Sequence, residues 1–600
     1  MLARRRLLIS LTIIISLAAI LLIGWSREKQ SLRDYQPVLA NVNYVGSQQC
    51  QQCHVEQYNH WFESHHRKMT QEATPASIVG DFQDTSYTFL GVTSRMYRRG
   101  DEFYIYTLDL NGEKMAEAKI ARTVGSRRFQ QYLTQVGDTY YRLPIAYNIE
   151  KKHWFNLQGL FLKPDSANFH QHTSIWNNNC VFCHNVKANP GLSFESRRFS
   201  TKVAELGIGC EACHGPGQLH IEKNQSWLWS NLRPRVRHDD PTIVNPLRLN
   251  KLQELQVCGH CHGQRVPRQS EAIKEILSTG DPYTPGEELF RYYQPVDRQT
   301  RIGDYEFADR FYPDGTPRLT AYEFQGVMMS ACYQRGEMTC NRCHSVHRGK
   351  QQSLLTDYMR SNKSCTQCHE AIAKDISAHT HHRADSSGSS CYECHRPRIA
   401  YGLLTAKRTH RILLPDINKT LTTQMPNGCN LCHKEQSAQW SAQYLSKWYG
   451  DKYRLTAENQ QLLGTNSSEL VRELFSYDPS ARIAAAWALG QPGADANSQA
   501  GKWAIPFLIE ALRDNYPAVR YFAIQSLTTL SQQDFGYFYM ADPVVREASI
   551  ARFEGWWRTQ AGKMLNSTPS PLPLDHNGLL DRKFIASLRA RPSLSIDIGE

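Results

Sequence analysis

The chain of 600 residues has no run of five or more like charges, and beyond residue 432 it has no cysteine. The missing charge run removes the usual mark of a nucleic-acid-binding tail. This holds although Lys and Arg outnumber Asp and Glu by 69 to 57, which gives a net charge of +12. All 17 cysteines precede residue 433, so any chemistry that depends on thiols belongs to that part of the chain.

The cysteines follow one pattern, Cys-x-x-Cys-His, which occurs eight times and uses sixteen of the 17 cysteines. This pentapeptide is the attachment signal for c-type haem. Two thiols at this spacing reach the two vinyl groups of one porphyrin, and the adjoining imidazole can bind its iron as proximal ligand. We therefore predict eight covalently attached haems, at Cys50, Cys53 and His54; Cys180, Cys183 and His184; Cys210, Cys213 and His214; Cys258, Cys261 and His262; Cys340, Cys343 and His344; Cys365, Cys368 and His369; Cys391, Cys394 and His395; and Cys429, Cys432 and His433.

Three other uses of cysteine fit this pattern less well. A disulfide framework does not require His after every second cysteine. A structural zinc site needs paired CxxC motifs or CxxC with HxxxH, and a thioredoxin-like redox pair would be a single motif. Cys332 lies outside the motifs and is interpreted as a small buried thiol. Eight haems would also bring sixteen propionates, so the excess of basic residues is interpreted as a set of propionate partners.

Residues 1–30 carry the signals of a membrane anchor. Arg4, Arg5 and Arg6 precede a stretch of apolar and small residues at 7–25, which is long enough to span a bilayer. No clear A-x-A cleavage site follows, and this favours an uncleaved signal anchor over a cleaved signal peptide. Because positive residues stay on the cytoplasmic side, we expect a single-pass transmembrane helix in the inner membrane, with the bulk of the chain in the periplasm.

The pattern of the remaining chain predicts a mainly α fold. Residues 44–450 would form an octahaem cytochrome domain in which short helices pack around the cofactors. Within it, residues 80–155 alternate as strands do and contain the turn signal Asn111-Gly112, which predicts a small β-rich insertion. Residues 460–560 contain two similar helix pairs thirty-eight residues apart, a pattern typical of a HEAT-like α-solenoid. Residues 561–600 are expected to form a tail.

An electron-carrying haem iron usually has a second protein ligand, and the chain has enough histidines to supply it. Of its 23 histidines, fifteen lie outside the proximal positions, and thirteen remain when His260 and the distant His576 are set aside. Offsets as short as His214 to His220 rarely let both imidazoles reach one iron, so they favour a ligand donated to a neighbouring haem. The candidates are His65, His66, His220, His347, His379, His381, His382 and His410.

These segments resemble multihaem cytochromes of the c-552/c-554 type. The resemblance spans about residues 44–450 and rests on YVGSQQCQQCHVEQYNHWFESHHRKM, GIGCEACHGPGQLH, FYPDGTPRLTAYEFQGVMMSACYQRGEMTCNRCHSVH, SAHTHHRADSSGSSCYECHRP and MPNGCNLCHKEQSAQW. Such proteins carry TPR or HEAT-like repeats behind the haem region, and the resemblance implies electron transfer without a settled substrate. It also implies these distal ligands: His65 or His66, His220, His347, His381 or His382, and His410. This chain has Arg396 where such sequences often have Met.

Two functions remain open from the sequence. The first is a membrane-anchored electron carrier in a periplasmic respiratory chain, with redox partner proteins and with the repeats as a separable docking surface. The second is a multihaem oxidoreductase acting on a small nitrogen or sulfur compound, of the nitrite or hydroxylamine type, at one open haem. Arg127, Arg128, Tyr132 and Tyr141 are candidates to line such a site, although ordinary strand and propionate contacts explain them as well. No CxxCK motif, typical of one nitrite reductase class, occurs in the chain.

Overall fold

The computed structural model describes residues 35, 37 and 43–596, with gaps at 110, 226–239, 319–321, 352, 403, 464–466, 494–500, 565–571 and 576. The predicted transmembrane helix at residues 1–30 lies outside the described residues. Among the residues that are described, no helix has both the length and the apolar character needed to cross a membrane.

A sheet of nine strands follows the first haem motif. Its strands are β1 (Thr70–Glu72), β2 (Gln83–Phe89), β3 (Val92–Arg99), β4 (Glu102–Leu108), β5 (Lys114–Val124), β6 (Phe129–Val136), β7 (Thr139–Asn148), β8 (His153–Asn156) and β9 (Ser174–Ile175). Strands β2 to β8 pair in sequence order, β1 pairs with β5 and β9 with β7, and every pair is antiparallel. Gly112 lies in the turn between β4 and β5 with φ of +80°, as the Asn-Gly signal predicts.

The sheet has a core of its own because its strands alternate. Phe103 and Ile105 of β4 are buried, whereas the intervening Tyr104 is only half-buried. The buried side chains pack with Phe82 and Trp154, whose ring centroids lie 5.2 Å apart. The sheet is therefore stabilised by ordinary side-chain packing.

The prediction of a mainly α fold is wrong. Helices account for only 39% of the residues and strands for 18%. The long alternating segments build one continuous sheet, and loops between the haem motifs add four two-stranded ladders. These are β10 (Asn185–Val186) with β11 (Glu205–Leu206), β12 (Arg265–Pro267) with β13 (Tyr293–Pro295), β14 (Arg301–Ile302) with β15 (Tyr305–Glu306), and β16 (Arg398–Tyr401) with β17 (Thr405–Arg408).

Short helices carry the haem motifs. The helices of this region are α1 (Ser47–Gln51), α2 (Val55–Phe62), α3 (Val181–His184), α4 (Glu211–His214), α5 (Gln218–Gln225), α6 (Lys251–His262), α7 (Ala272–Thr279), α8 (Glu323–Met328), α9 (Ala331–Gln334), α10 (Asp357–Arg360), α11 (Lys363–Thr366), α12 (Glu370–Lys374), α13 (Ile376–Thr380), α14 (Cys391–His395), α15 (Ile417–Thr423), α16 (Gly428–Cys432) and α17 (Ala438–Tyr449). Most have fewer than nine residues, which is too short for stability in isolation.

The last part of the described chain is helical. Its helices are α18 (Ala457–Leu462), α19 (Glu469–Leu474), α20 (Pro479–Leu489), α21 (Ile505–Ala511), α22 (Pro517–Ser531), α23 (Pro543–Met564) and α24 (Arg582–Leu588). Proline occupies the first position of α20 and α22, where its missing N–H costs nothing. The carboxylate of Asp478 accepts a 2.8 Å hydrogen bond from the Ser480 N–H and so caps α20.

These helices share one hydrophobic core with the sheet and with the last haem motif. Phe155 of β8, Leu431 of α16 and Phe507 of α21 belong to the same buried cluster. Arg520 of α22 donates two 2.8 Å hydrogen bonds to the Asp165 carboxylate, which lies between β8 and β9. The helical repeats therefore form part of the haem-bearing body, and a separable docking module is not what this packing favours.

Candidate haem-binding sites

Each motif lies on a single tight or helical turn of the backbone. The N–H of His54 donates to the Cys50 carbonyl at 2.9 Å, and the N–H of His433 donates to the Cys429 carbonyl at 2.8 Å. All seventeen cysteines are described, and none of them forms a disulfide. The motif thiols are therefore available for thioether bonds to a porphyrin.

Six of the eight motif histidines face a second imidazole. The pairs and their ring-centroid separations are His54 with His220 at 6.3 Å, His262 with His66 at 6.4 Å, His214 with His347 at 6.1 Å, His344 with His410 at 6.4 Å, His395 with His379 at 6.2 Å, and His433 with His382 at 6.0 Å. Two imidazoles bound to opposite sides of one metal at about 2 Å put their ring centres roughly 6 Å apart. The six pairs therefore fit a haem iron with two axial histidines.

The second nitrogen of several proximal rings is held by a backbone carbonyl. The Nδ1 atom lies 2.7 Å from the Val244 oxygen in His214, 2.9 Å from the Ser353 oxygen in His344 and 2.7 Å from the Leu413 oxygen in His395. A hydrogen bond at Nδ1 fixes the tautomer and leaves Nε2 to bind a metal. Loop carbonyls of this kind have no sequence signature.

The fourth motif differs from these three. There the Nδ1 atom of His262 lies 3.8 Å from a carboxylate oxygen of Glu323 on α8. The facing ring is that of the half-buried His66, and its removal from water lowers the pKa of His66 to about 4. His66 is therefore neutral at physiological pH, the form that binds a metal. Nothing in the sequence pattern pointed to Glu323.

The structure separates candidates that the sequence left as alternatives. His66 faces a proximal ring, whereas the Nδ1 atom of the adjacent His65 lies 3.1 Å from the Ser126 hydroxyl. His382 faces His433, whereas His381 stacks on Trp448 with centroids 4.4 Å apart. These pairs assign no distal ligand to the second and sixth motifs, those of His184 and His369.

Most facing histidines come from the segment of another motif. His220 follows the third motif and faces the first, while His347 follows the fifth motif and faces the third. His66 follows the first motif and faces the fourth. This exchange links different motifs to each other, including motifs that are not successive in the chain.

Neighbouring thiols give the order of the motifs in space. Thiols form hydrogen bonds with each other in four pairs: Cys50 and Cys210, Cys183 and Cys261, Cys258 and Cys340, and Cys365 and Cys391. In three further pairs the thiols interact electrostatically: Cys213 and Cys258, Cys343 and Cys365, and Cys394 and Cys432. The motifs therefore connect in the order first, third, fourth, fifth, sixth, seventh and eighth. The second motif lies beside the fourth.

Two of the residues proposed for an open catalytic haem, Tyr132 and Arg128, have ordinary contacts within the protein. Tyr132 is fully buried in the sheet, with its hydroxyl donating to Gln130 at 3.0 Å. Arg128 lies 3.7 Å from the Glu150 carboxylate.

Cys332 is half-buried beside the thiols of the sixth motif, and burial raises the pKa of its own thiol.

Comparison with known proteins agrees with this geometry. The family model for cytochrome c554 and c-prime matches residues 49–83 and 161–215, and the model for a doubled CXXCH motif matches residues 333–374. The chain is a multihaem c-type cytochrome. The cytochrome binds haem c covalently, and its α21 and α22 match a HEAT repeat at residues 504–533.

The chain was also compared with curated proteins and with solved structures. No curated protein matches the cytochrome. The solved structure of the outer cell wall cytochrome OcwA aligns with 82% of this chain and 99% of that chain, at 17% identity and a TM-score of 0.44.

Proposed function

We propose that this cytochrome carries electrons in a periplasmic respiratory chain through eight covalently bound haems. Haem c supplies a one-electron iron couple when bound. The observation that carries the proposal is the set of six imidazole pairs, because an iron with two protein ligands has no open position for a substrate. Eight complete motifs support the number of eight haems. The repeats contain no cysteine and so provide no further attachment site.

The same pairs support an assignment of ligands for six haems. We assign as distal ligands His220 to the first, His347 to the third, His66 to the fourth, His410 to the fifth, His379 to the seventh and His382 to the eighth. His65 and His381 have other contacts and are not assigned to an iron. The neighbouring thiols then define one path from the first motif to the eighth, with the second motif as a branch at the fourth.

Electron exchange with partner proteins requires a haem near the surface. Cys53 of the first motif and Cys368 of the sixth are exposed, whereas the other motif cysteines are only partly so. We place the contacts with redox partner proteins at these two motifs. The inner-membrane location, with the bulk of the chain in the periplasm, stays a prediction from residues 1–30.

Two adjacent histidines allow a matched test of the assignment. In His66→Ala, the ring of His262 loses the imidazole that faces it, so one ferric haem per chain should change from low-spin to high-spin. His65→Ala removes the same side chain one residue away and should leave the spin state of every haem unchanged. Magnetic circular dichroism of both variants checks this, with intact mass giving the number of haems.

A high-spin haem in His65→Ala but not in His66→Ala would contradict the ligand assignment. Five or six haems in homogeneous, fully matured protein would contradict the octahaem count. Rapid binding of nitrite or hydroxylamine by the unmodified protein, together with turnover, would contradict the carrier function.

A further inference from the structure

Two half-buried charges of opposite sign lie beside consecutive motifs of the path. Glu323 lies against the fourth motif, with its carboxylate 3.8 Å from the Nδ1 atom of His262, and its side chain is 17% exposed. Arg396 directly follows His395 of the seventh motif and lies near the thiols of Cys343 and Cys365 in the fifth and sixth motifs. The motifs concerned are neighbours, because the thiols of the fourth and fifth lie beside each other.

Arg396 is held in place by contacts of its own. Its Nε atom donates a 2.8 Å hydrogen bond to the Thr409 carbonyl, and its guanidinium carbon lies 5.5 Å from the centre of the Tyr392 ring. Its charge also acts on both imidazoles of the fifth pair, His344 and His410, where it outweighs the opposite effect of the Glu323 carboxylate. The guanidinium is therefore a fixed positive charge at the junction of three motifs.

Fixed charges of this kind change a reduction potential in a known direction. A haem gains one negative charge on reduction, so a nearby anion disfavours reduction and a nearby cation favours it. Both effects are larger inside a protein than in water, because the effective dielectric constant is lower. At 3.8 Å the Glu323 carboxylate makes no hydrogen bond to His262, so it acts on the fourth haem as a nearby negative charge.

We propose that Glu323 and Arg396 build a potential step into the path, low at the fourth haem and high at the fifth. The step gives the path a direction, since electrons move spontaneously from the lower potential to the higher. The inference rests on the proposed electron-transfer function. The fourth proximal histidine has a carboxylate as its neighbour. In the third, fifth and seventh, the Nδ1 atom instead lies 2.7 to 2.9 Å from a neutral backbone carbonyl oxygen.

The fourth haem should have a distinct electron paramagnetic resonance signal, so its potential can be measured separately. The planes of His66 and His262 meet at 77°, whereas the planes of the other five pairs meet at 7° to 35°. Near-perpendicular axial imidazoles give a highly anisotropic low-spin ferric signal in electron paramagnetic resonance. Near-parallel imidazoles give a rhombic signal, so the fourth haem can be followed separately.

The test is a redox titration of the full-length, fully loaded protein followed by this method. In the unmodified protein, the anisotropic signal should disappear at a lower potential than the rhombic component that Arg396→Gln shifts. Glu323→Gln should raise the reduced-to-oxidised ratio of the anisotropic haem about tenfold at fixed potential, which corresponds to about 59 mV for a one-electron couple. Arg396→Gln should lower that ratio for a rhombic component by a similar factor, and Arg396→Lys should retain the original value.

Several results would overturn the inference. These are an anisotropic signal that titrates at or above the rhombic signals, a Glu323→Gln titration identical to the unmodified one, or an Arg396→Lys shift as large as that of Arg396→Gln. If Arg396→Gln fails to load its haems, the unmodified protein and Glu323→Gln decide the question. Unshifted potentials in a protein whose haems are all low-spin and fully reducible would remove the step alone, whereas high-spin haems with turnover would remove the carrier function.

Discussion

The haem-motif region and the helical repeats use different means to exclude water. Beyond residue 460, thirty-two buried apolar residues belong to a single cluster, among them Phe507 and Leu508 at 0% exposure. Between residues 240 and 450, the separate clusters have no more than five fully buried members each. The repeats thus have an ordinary hydrophobic core, whereas the motif region has many small apolar patches around its histidine pairs.

This difference indicates what each region needs in order to fold. Short helices such as Val181–His184 and Cys391–His395 cannot be stable alone, and little apolar side-chain surface is available to hold them together. Bound cofactors supply such surface, and a site that exists only in the folded state couples binding to folding. The sheet and the repeats already bury a common core without any cofactor.

Withholding haem should produce the largest effect and break the comparison most clearly. Expressed without haem attachment, the chain should lose ordered structure between residues 176 and 450 and keep the sheet and repeats folded. Limited proteolysis with mass spectrometry should then show cuts confined to that region, with the fully loaded protein as the control. Equal resistance of the two forms along the whole chain would show that the motif region folds on side-chain packing alone.

A cavity in the repeat core should produce the next largest effect. Phe507→Ala removes a fully buried ring, so it should lower the free energy of unfolding by about 3–5 kcal/mol. Val544→Ala is the control, because its side chain is 77% exposed and should change stability by no more than about 0.5 kcal/mol. Chemical unfolding followed by tryptophan fluorescence measures both.

The visible spectrum of folded Phe507→Ala should be unchanged, since the cavity lies far in sequence from every motif. The repeat and the eighth motif nonetheless share a buried cluster through Leu431. A loss of haem in this variant under native conditions would therefore mean that the two regions fold as a single unit.

A buried carboxyl group should produce the smallest of the three effects. Glu473 on α19 is 1% exposed, and neither of its oxygens has a hydrogen-bond partner among the described residues. Burial, followed by the charge of Glu469, raises the pKa of Glu473 well above 4.5. The folded protein therefore holds a proton that the unfolded chain releases once the pH exceeds the ordinary range of Glu.

Because the folded-state pKa of Glu473 is raised, the free energy of unfolding should fall as the pH rises. The stability associated with the protonated Glu473 is complete below the unfolded pKa, and it is lost as pH rises towards the folded pKa, with a slope of about 1.4 kcal/mol per pH unit. Glu473→Gln cannot release a proton and should flatten this loss. Thermal unfolding of both proteins across the acidic to neutral range measures it, and parallel curves would refute the assignment.

The sequence predicts the haem sites far better than the architecture that holds them. The spacing within each motif is local, so one turn of chain determines where a pair such as Cys50 and His54 lies. The choice between His65 and His66 depends on which of the two rings, just after α2, faces His262. That contact is set by the tertiary structure, and no local sequence pattern predicts it. Glu323 is more than sixty residues from the motif that it touches, and its contact required the structure.

The share of strand was underestimated for a related reason. The alternation within residues 80–155 was visible, but the ladder of Arg398–Tyr401 with Thr405–Arg408 lies in a segment read only for its haem motifs. The packing of the repeats against the sheet joins residues such as Asp165 and Arg520 that are hundreds of positions apart. The composition shows where the cysteine-containing region ends and an ordinary apolar core begins. It does not show which elements pack against each other.

The central claim is that paired histidines occupy both axial positions in most of the haems. Quantitative electron paramagnetic resonance of the fully ferric, fully loaded protein tests it most directly. We expect at least six low-spin haems per chain, one for each imidazole pair, with one of them giving the highly anisotropic signal of the His66 and His262 pair. A spectrum dominated by high-spin haem, with fewer than six low-spin centres per chain, would contradict it.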